Sequence, residues 1–361
     1  IKDNIGYDIH DSLSVLLSTS GTTGSPKLVR LSMENIYDNA NSIREYLEIK
    51  QDERAISSLP IHYSYGLSVL NSHLLAGASI VMTGKTIIYP DFWDVFNDNE
   101  CSSFAGVPHS YRILDRSGFA KRSTPTLRTM TQAGGKMENN LIDKYSRNLK
   151  ARGARLVVMY GQTEATARIS YLPPEMLPEK LGSIGIAIPG GKLAVFDGEN
   201  EITEPHRVGE IVYYGKNVML GYATSPADLA DGDLMKGKLR TGDIGYFDED
   251  GYFFIKGRIK RFVKIYGLRI NLDELEEKMK IHGPTAVTGN DEKVFVFCGY
   301  GGEADYDNYR RELAKVYKLN INTFIFKKID SLPAKSSGKI DYKKLNEMAG
   351  ISYVDSGDQS K

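Results

Sequence analysis

The sequence predicts an α/β protein, with a large domain of doubly wound parallel sheet plus a small β unit, followed by a mobile α+β C-terminal domain. Three changes of pattern along the 361 residues support this fold class. Strand-like and helix-like runs alternate up to about residue 181, short strand-like runs follow between turn residues, and mixed runs return after about residue 257. A chain of this length exceeds one ordinary core, so we expect at least two packing units.

The first region has the repeating order that is typical of parallel sheets. An apolar strand-like run precedes a loop of Gly, Ser and Thr, and Ser32 is placed to cap a helix. The predicted strands cover residues 13–17, 54–59, 79–82 and 103–107, and the predicted helices cover residues 33–47, 67–75 and 91–99. Strands that alternate with helices favour a doubly wound sheet.

The second and third regions have different patterns. Asp197-Gly198 and Asp250-Gly251 are hairpin signals between alternating runs, as in antiparallel sheets. Further along, helical patterns cover residues 272–279 and 306–317, and strand patterns cover residues 294–298 and 323–326. The predicted domains are a large domain at 1–257 with its β unit at about 182–257, a C-terminal lid at 258–350, and a polar, disordered tail at 351–361.

The composition disfavours several classes of function. Lys and Arg total 46, as do Asp and Glu, so there is no overall basic excess for a long nucleic acid. Cys101 and Cys298 are far apart and have no zinc-ligand spacing, which fits a reducing, cytoplasmic location. No apolar run approaches the length of a membrane span. These features favour a small-molecule enzyme over a nucleic-acid-binding or membrane-spanning protein.

A loop at residues 18–27, Ser-Thr-Ser-Gly-Thr-Thr-Gly-Ser-Pro-Lys, follows the first apolar strand. Small residues allow backbone N–H groups to approach a polyphosphate, hydroxyls add donors, and Lys27 adds positive charge. The candidate phosphate-binding residues are Thr19, Ser20, Gly21, Thr22, Thr23, Gly24 and Lys27. A Walker A motif occurs nowhere in the chain, which disfavours a P-loop or kinase-type site. A flexible connection rich in Gly and Ser is the alternative interpretation.

Four later segments carry residues suited to nucleotide chemistry. The segment from Tyr160 to Glu164, Tyr-Gly-Gln-Thr-Glu, offers a flat ring, a hydroxyl and a hard oxygen ligand for Mg2+. The segment Thr-Gly-Asp that ends at Asp243 places a carboxylate at a turn, where it can accept two ribose hydroxyls. The segments 257–267 and 333–339 are basic and contain Gly. Taken singly, each segment also fits an ordinary turn or a solvated surface.

Together and in this order, these segments resemble the signature motifs of the AMP-forming adenylating superfamily, which includes the acyl- and aryl-CoA synthetases. The resemblance extends from about residue 18 to about residue 345. It implies that the chain uses ATP, Mg2+ and coenzyme A in a two-step reaction through an acyl adenylate. The family's large α/β domain and mobile lid are implied as well.

The resemblance also assigns roles to single residues. Lys339 would stabilise the carboxylate and the α-phosphate during adenylation, Thr163 would lie near phosphate, and Glu164 would bind Mg2+. Lys260 would be the hinge of the lid, and Gly267 would lie on the path of the thiol. The implied ATP and AMP contacts are residues 19–24, Lys27, Gly134, Gly135, Tyr160, Gly161, Asp243 and Arg258.

The acid and the thiol are less closely defined. His62 lies in an aromatic stretch that resembles the family's acyl site or thiol path, and a core position is its equal alternative. No Asp occurs between residues 61 and 75 to pair with an α-ammonium group, which favours a fatty or aryl acid over an amino acid. Coenzyme A is the preferred acceptor, and the phosphopantetheine arm of an acyl carrier protein is the alternative. Whether the protein forms a homo-oligomer stays open.

The chain departs from the family before its phosphate loop. Members have a long N-terminal portion there, whereas this loop begins near residue 18. We therefore expect a natural short form, a fragment or one half of a split enzyme. A non-catalytic binding relative is the alternative to a working ligase, and the joint presence of Glu164, Asp243, Arg258 and Lys339 favours the ligase.

Overall fold

The computed structural model describes residues 6–18, 27–265, 268–290, 292–335 and 339–351. The chain divides into two compact units. The first comprises Ile1–Thr241 and Gly245–Ile255, and the second comprises Gly242–Ile244 and Lys256–Lys361. Among the described residues, every helix is too short or too polar to cross a bilayer.

The helices and strands are numbered in chain order. Up to residue 258 they are β1 (Leu13–Ser18), β2 (Leu28–Ser32), α1 (Met33–Tyr46), β3 (Arg54–Ile56), α2 (Ser64–Leu75), β4 (Ser79–Val81), α3 (Pro90–Asp98), β5 (Ser103–Gly106), α4 (Pro108–Arg116), β6 (Thr129–Gln132), α5 (Asn139–Lys150), β7 (Arg155–Tyr160), β8 (Ser170–Leu172), β9 (Ile186–Ala187), β10 (Lys192–Asp197), β11 (Asn200–Ile202), β12 (Gly209–Tyr214), β13 (Gly221–Ala223), β14 (Lys238–Phe247) and β15 (Phe253–Arg258). Beyond it they are β16 (Phe262–Ile265), β17 (Leu268–Asn271), α6 (Leu272–Lys280), β18 (Thr285–Gly289), β19 (Val294–Cys298), α7 (Glu303–Tyr317), β20 (Phe324–Lys328) and α8 (Tyr342–Ala349).

A seven-stranded sheet in the order β4-β3-β5-β6-β7-β8-β9 is the centre of the first unit. The strands from β4 to β7 pair in parallel, and β8 and β9 are added antiparallel. Phe104 on one face packs with Trp93 of α3 and Tyr111 of α4. Ala105 on the other face packs with Ile43 of α1 and with Tyr65 of α2. The predicted α/β fold class is confirmed, since helices cover both faces of a largely parallel sheet.

The chain between the phosphate loop and α1 differs from the sequence prediction. We expected the loop to lead directly into a helix, but residues 28–32 form β2, which pairs antiparallel with both β1 and β13. Val29 and Leu31 are fully buried there. The pairing of β2 with distant β13 is not visible in local sequence. Ser32 caps α1 as predicted, with a reciprocal hydrogen bond to Asn35.

Two helices begin earlier than their sequence patterns indicated. Helix α2 begins at Ser64 rather than at residue 67, and α7 begins at Glu303 rather than at residue 306. The residue before α2, Tyr63, makes no side-chain cap hydrogen bond. Without a polar capping residue the start of α2 has no clear sequence signal, since tertiary packing determines it.

A five-stranded sheet in the order β11-β10-β12-β14-β15 follows the parallel sheet. The predicted hairpin at Asp197 is confirmed, because β10 and β11 pair with Asp197 opposite Asn200. The expectation that Asp243 lies at a turn was wrong, since it lies within β14. Gly242 beside it has a φ of +69°, which interrupts the regular strand backbone. A Thr-Gly-Asp sequence has the composition of a turn, but here it forms an irregular position inside a long strand.

The second unit has an α+β architecture. Strand β19 pairs antiparallel with β18 and in parallel with β20, and β16 and β17 form a separate two-stranded sheet. Helices α6 and α7 pack on the three-stranded sheet through an apolar core that includes Leu275, Val296 and Leu313. Residues 352–361, which include most of the predicted tail, lie outside the described residues.

Candidate active site

The candidate site of the first unit lies where the parallel strands end. Residues 133–135 follow the carboxyl end of β6, and residues 161–164 follow that of β7. Val107 follows β5 and is the residue before α4. Because β5, β6 and β7 are adjacent and parallel, their carboxyl ends meet at one edge of the sheet. Ligands of open α/β sheets bind outside this edge.

Two glycines at this edge occupy positions where a side chain does not fit. A Cβ on Gly161 would lie 1.8 Å from the carbonyl oxygen of Ala167. Gly134 has a φ of +84°, and a Cβ there would lie 2.6 Å from the hydroxyl of Tyr63. Because Gly161 has no Cβ, its backbone can pass close to Ala167. At Gly134, the chain after β6 lies close to the aromatic segment before α2. Both are positions that the sequence analysis named.

Hydrogen bonds fix the segment after β7. The hydroxyls of Thr163 and Ser64 are 3.2 Å apart, which joins this segment to the first residue of α2. The Gln162 amide donates to the Tyr160 hydroxyl at 3.1 Å and to the Thr241 carbonyl at 2.9 Å. These bonds hold the Tyr160 ring and the Thr163 hydroxyl in place. Ser64 was not singled out from the sequence, because its part in the site depends on a residue nearly a hundred positions away.

A tyrosine brings the charged ends of two motifs together. The Tyr222 hydroxyl donates to Oε1 of Glu164 at 2.8 Å. The Nζ of Lys27 lies 5.8 Å from the centre of the same ring, within the range of a cation–π contact. Burial and the neighbouring Glu164 raise the pKa of Tyr222, so the hydroxyl remains a donor. Lys27 from the end of the phosphate loop and Glu164 from the segment after β7 therefore share one aromatic residue.

Strand pairing explains why Tyr222 lies there. In the register of β13 with β2, Tyr222 is opposite Val29 and Ala223 is opposite Leu28, which brings β13 alongside the residue after the phosphate loop. The fully buried Arg30 donates to the carbonyls of Tyr222 and Asp231 and holds the two segments together. The sequence analysis noted the Gly-Tyr pair of β13 only as a turn and missed Tyr222 as a site residue. Its role depends on the β2–β13 pairing, for which no local signal exists.

Glu164 is suited to the Mg2+ ion that ATP chemistry needs. Its side chain is half-buried, and the Tyr222 bond uses one lone-pair position of a carboxylate that has about four. Protein-bound Mg2+ takes one or two carboxylates together with substrate phosphates, so a single glutamate is a sufficient protein ligand. Among the described residues there is no group of three or more His, Cys, Asp or Glu side chains that could hold a metal by itself. Glu164 with substrate phosphates therefore fits the ion, and a site made of protein ligands alone does not.

Two of the predicted residues in the second unit, Asp243 and Arg258, form an ion pair. Asp243 is 2% exposed, and its Oδ1 accepts a hydrogen bond from Nε of Arg258 at 2.7 Å. The backbone N–H of Arg258 donates to Asp273 at 2.9 Å. The structure thus pairs Asp243 with Arg258, two residues that the resemblance placed on the same nucleotide. Most of the Arg258 side chain is exposed, and so a ligand can approach it.

The base of the segment that carries Lys339 is fixed by backbone hydrogen bonds. The N–H of Lys335 donates to the carbonyl of Lys339 at 2.8 Å, and Ala334 and Ile340 form an isolated β-bridge. Asp341 then caps α8. The Lys339 side chain is exposed.

Several predicted residues lie partly or wholly outside the described part of the chain. Lys260 lies in a short 3-10 turn between β15 and β16, and its side chain is not described. His62 is exposed. The residues outside the described ranges are Thr19, Ser20, Gly21, Thr22, Thr23, Gly24 and Gly267.

Comparison with known proteins identifies the family. A sequence model of the AMP-binding enzyme family matches residues 8–223. This match covers more than half of the chain, so the protein belongs to the AMP-binding enzyme family. Oxalate–CoA ligase of Arabidopsis thaliana is 31% identical over 353 residues, which cover 91% of this chain and 66% of the relative. The chain therefore spans less than two thirds of the length of this curated relative.

Solved structures agree with the family assignment. O-succinylbenzoate coenzyme A synthetase (MenE) from Bacillus subtilis, in complex with ATP and magnesium ion, is 25% identical with a TM-score of 0.76 and covers 94% of this chain and 71% of its own. ATP-bound MatB from Rhodopseudomonas palustris is 27% identical with a TM-score of 0.77 and covers 94% of this chain and 68% of its own. The family named from the sequence motifs is thereby confirmed.

Proposed function

We propose that the protein activates a carboxylic acid with ATP to an acyl adenylate, releases pyrophosphate, and transfers the acyl group to the thiol of coenzyme A. The observation that carries the proposal is the meeting of Lys27 and Glu164 at Tyr222, beside the edge of a parallel sheet. A cation and a carboxylate there fit a nucleotide triphosphate and its Mg2+ ion. Family membership supports the same reaction.

In the first step, a carboxylate oxygen of the acid forms a bond to the α-phosphorus, and the bond from that phosphorus to the β-phosphate oxygen breaks. Pyrophosphate leaves with its negative charge. Catalysis of such a displacement depends mostly on positioning and charge compensation. Lys27 would supply positive charge and the Thr163 hydroxyl a hydrogen-bond donor. Glu164 would hold Mg2+, and a bound ion would neutralise phosphate charge.

In the second step, the thiol sulfur attacks the acyl carbon of the adenylate, and AMP leaves as its bond to that carbon breaks. The thiol proton is lost in this step. We favour coenzyme A over a carrier protein because the oxalate and O-succinylbenzoate relatives are named as coenzyme A ligases or synthetases. No α-ammonium partner occurs between residues 61 and 75, which favours an acid without an α-amine.

Residues of the second unit also have roles in the proposed chemistry. Asp243 would accept ribose hydroxyls, and Arg258, already bonded to Asp243, would contact ribose or phosphate. Lys339 would stabilise the negative charge that is shared by the carboxylate and the α-phosphate in the first step. Lys260 would serve as the hinge, and Gly267 would lie on the thiol path.

Carboxylate-dependent ATP–pyrophosphate exchange tests the proposal directly. The full polypeptide is assayed over a panel of fatty, aryl and dicarboxylic acids, and Lys339→Ala is the test variant. We expect exchange with a restricted set of acids. In the Lys339→Ala variant, exchange activity should fall by about 100- to 1000-fold, because a positive charge that would stabilise the transition state is removed. Lys335→Ala, which removes a neighbouring lysine, is the matched control and should retain exchange.

An assay of ATP binding makes a negative result interpretable. Tight ATP binding together with no exchange for any acid would contradict the proposal and indicate a binding relative. Equal exchange in the Lys339→Ala variant and the wild type would contradict the role of Lys339 while leaving the reaction itself in place.

A further inference from the structure

The short loop 165–168, which follows Glu164, has an unusual backbone. Thr166 has a φ of +63°, a conformation that β-branched residues rarely adopt. The N–H of Ala167 donates to the carbonyl of Ala165 at 2.6 Å, which makes the turn tight. Thr166 is buried in the first unit, as is Ala165. A strained backbone of this kind persists only where neighbouring contacts hold it in place, and such positions are frequent at functional sites.

The side chain of Asn217 supplies contacts that hold this loop. Asn217 is 0% exposed. Its Nδ2 donates to the carbonyl of Ala165 at 2.9 Å and to that of Arg168 at 2.9 Å, so both N–H groups of the amide are used. The hydroxyl of Thr166 donates in return to the backbone carbonyl of Asn217 at 2.7 Å. Asn217 therefore binds the loop at its first, second and last residues.

Tyr213 fixes the orientation of the Asn217 amide. The Tyr213 hydroxyl donates to Oδ1 of Asn217 at 2.8 Å, which leaves Nδ2 directed at the loop carbonyls. Tyr213 is fully buried, and burial raises its pKa, so the hydroxyl keeps the proton that it donates. In the opposite orientation Oδ1 would face two carbonyl oxygens, so the amide has one favourable orientation.

The segment that contains Asn217 also contacts Glu164 itself. The N–H of Met219 donates to the carbonyl of Glu164 at 2.9 Å, and the hydroxyl of Tyr222 donates to its Oε1 at 2.8 Å. Residues 217–222 therefore hold the backbone of Glu164, its carboxylate and the loop that follows it. Asn217 contributes to this arrangement through the loop, so it can affect the direction of the carboxylate without touching it.

The direction of the Glu164 carboxylate matters most for a metal ion. Mg2+ takes oxygen ligands at about 2.0–2.1 Å in near-ideal octahedral geometry, so a small displacement of one ligand weakens its binding. Removing a residue that orients a metal ligand by hydrogen bonds typically lowers metal affinity or activity by about 10- to 100-fold. A loss of the Asn217 side chain should therefore affect the metal ion more than the rest of the nucleotide.

We propose that Asn217 is a positioning residue for Mg2+, and that it holds loop 165–168 so that the Glu164 carboxylate is directed at the ion. This inference rests on the proposed function, because it takes Glu164 as the ligand of the ion that accompanies ATP. Asn217 acts through Glu164, and the strained backbone at Thr166 is the part of the loop that it stabilises.

Asn217→Ala, which removes the three side-chain hydrogen bonds, is the first test variant. We expect the Mg2+ concentration for half-maximal ATP–pyrophosphate exchange to rise by about 10-fold, with a smaller change at saturating Mg2+. Asn39→Ala is the matched control. Asn39 is a buried asparagine whose Nδ2 donates to the same Arg168 carbonyl at 3.1 Å but not to Ala165. Its loss should lower stability without changing the dependence on Mg2+.

Thr166 offers a second pair of variants, which decides the matter if Asn217→Ala does not fold. Thr166→Val removes the hydroxyl that bonds to the Asn217 carbonyl and keeps the β-branched shape. It should raise the Mg2+ concentration for half-maximal exchange by about 5-fold. Thr166→Ser keeps the hydroxyl and should restore most of the wild-type dependence. Equal Mg2+ dependence in the two variants would contradict the proposal.

Binding of Mn2+ in the presence of ATP and without an acid, followed by electron paramagnetic resonance, separates this inference from the proposed function. We expect weaker Mn2+ binding in Asn217→Ala than in the wild type and in Asn39→Ala. That result, with no exchange for any acid, would refute adenylation and support the positioning role. Unchanged Mn2+ binding and Mg2+ dependence in Asn217→Ala would overturn the positioning role and leave adenylation in place. Equal weakening in Asn217→Ala and Asn39→Ala would also overturn it, because a general loss of stability would then explain the effect.

Discussion

Two arginines, one in each unit, stack on a tyrosine ring at nearly the same distance. Cζ lies 3.9 Å from the Tyr65 ring for Arg168 and 3.8 Å from the Tyr342 ring for Arg261. Arg261 also forms ion pairs with Asp273 at 2.5 Å and with Glu276 at 2.9 Å. Arg168 forms no ion pair with a carboxylate among the described residues, and its Nε–H has no acceptor there. Stacking is thus the same in both, and the counter-charge differs. Removing a buried arginine that is paired with carboxylates leaves their charges uncompensated, and removing one that has no such pair does not.

Two hydrogen bonds from a tyrosine to a glutamate, one in each unit, show a similar contrast. Tyr222 donates to Glu164 at 2.8 Å, and Tyr342 donates to Glu276 at 2.8 Å. Glu276 also accepts from the Val287 backbone and from Arg261, so its hydrogen-bonding capacity is largely used. Glu164 is half-buried and suited to a metal ion and phosphates. The same pair of residue types is thus enclosed by further hydrogen bonds in the second unit and is half-buried, beside Lys27, in the first.

The largest expected effect is on stability, from Arg261→Met. This change removes the cation shared by Asp273 and Glu276 and leaves the 5% exposed Glu276 side chain with its ion pair to Lys280, so we expect the free energy of unfolding to fall by about 3 kcal/mol. Urea unfolding followed by far-ultraviolet circular dichroism measures it.

Arg168→Met is the matched variant for that prediction. It removes a charge that has no carboxylate partner among the described residues and stacks only on Tyr65, so the free energy of unfolding should change by less than about 1 kcal/mol. Fluorescence of Trp93, the single tryptophan and part of the core of the first unit, follows this unfolding. Equal destabilisation by the two variants would contradict the difference between the two arginines, because Arg168 would then stabilise the fold as much as Arg261 does.

An intermediate effect is expected from the two tyrosines. Tyr222→Phe keeps the ring beside Lys27 but removes the hydrogen bond to Glu164, so exchange activity should fall by about 10-fold with little loss of stability. Tyr342→Phe should instead lower the free energy of unfolding by about 1–2 kcal/mol and leave exchange unchanged. Exchange measured against Mg2+ concentration, with urea unfolding of both variants, checks this. Parallel behaviour of the two variants would remove the distinction between Glu164 and Glu276.

The smallest effect is a dependence of stability on pH in the first unit. Burial lowers the pKa of His73 in the folded protein, so the unfolded chain binds more protons below the ordinary histidine pKa of 6.5. The stability that His73 contributes is therefore present above that pH and lost as the pH falls. Trp93 fluorescence in urea at a series of pH values measures this slope, which His73→Gln should flatten. An unchanged slope in that variant would assign it to other groups.

The sequence was most informative where function depends on residue types in a fixed local order. The segment from Tyr160 to Glu164 and the loop that ends at Lys27 each carry their chemistry within a few residues, so their types and spacing were enough to name the family. The alternation of strands and helices predicted the parallel sheet for the same reason. Asp243 was correctly singled out but wrongly placed at a turn, since one positive-φ glycine inside a strand resembles a turn in sequence.

The sequence by itself thus determined the fold class, the family and the nucleotide motifs, because each depends on local periodicity or local residue order. The tertiary structure alone decided that Tyr222 joins Lys27 to Glu164, since this depends on the pairing of β2 with β13. It alone also distinguished Arg168 from Arg261. Both are arginines in ordinary polar segments of sequence, and only the three-dimensional packing shows which one has carboxylates beside it and which one faces a cavity.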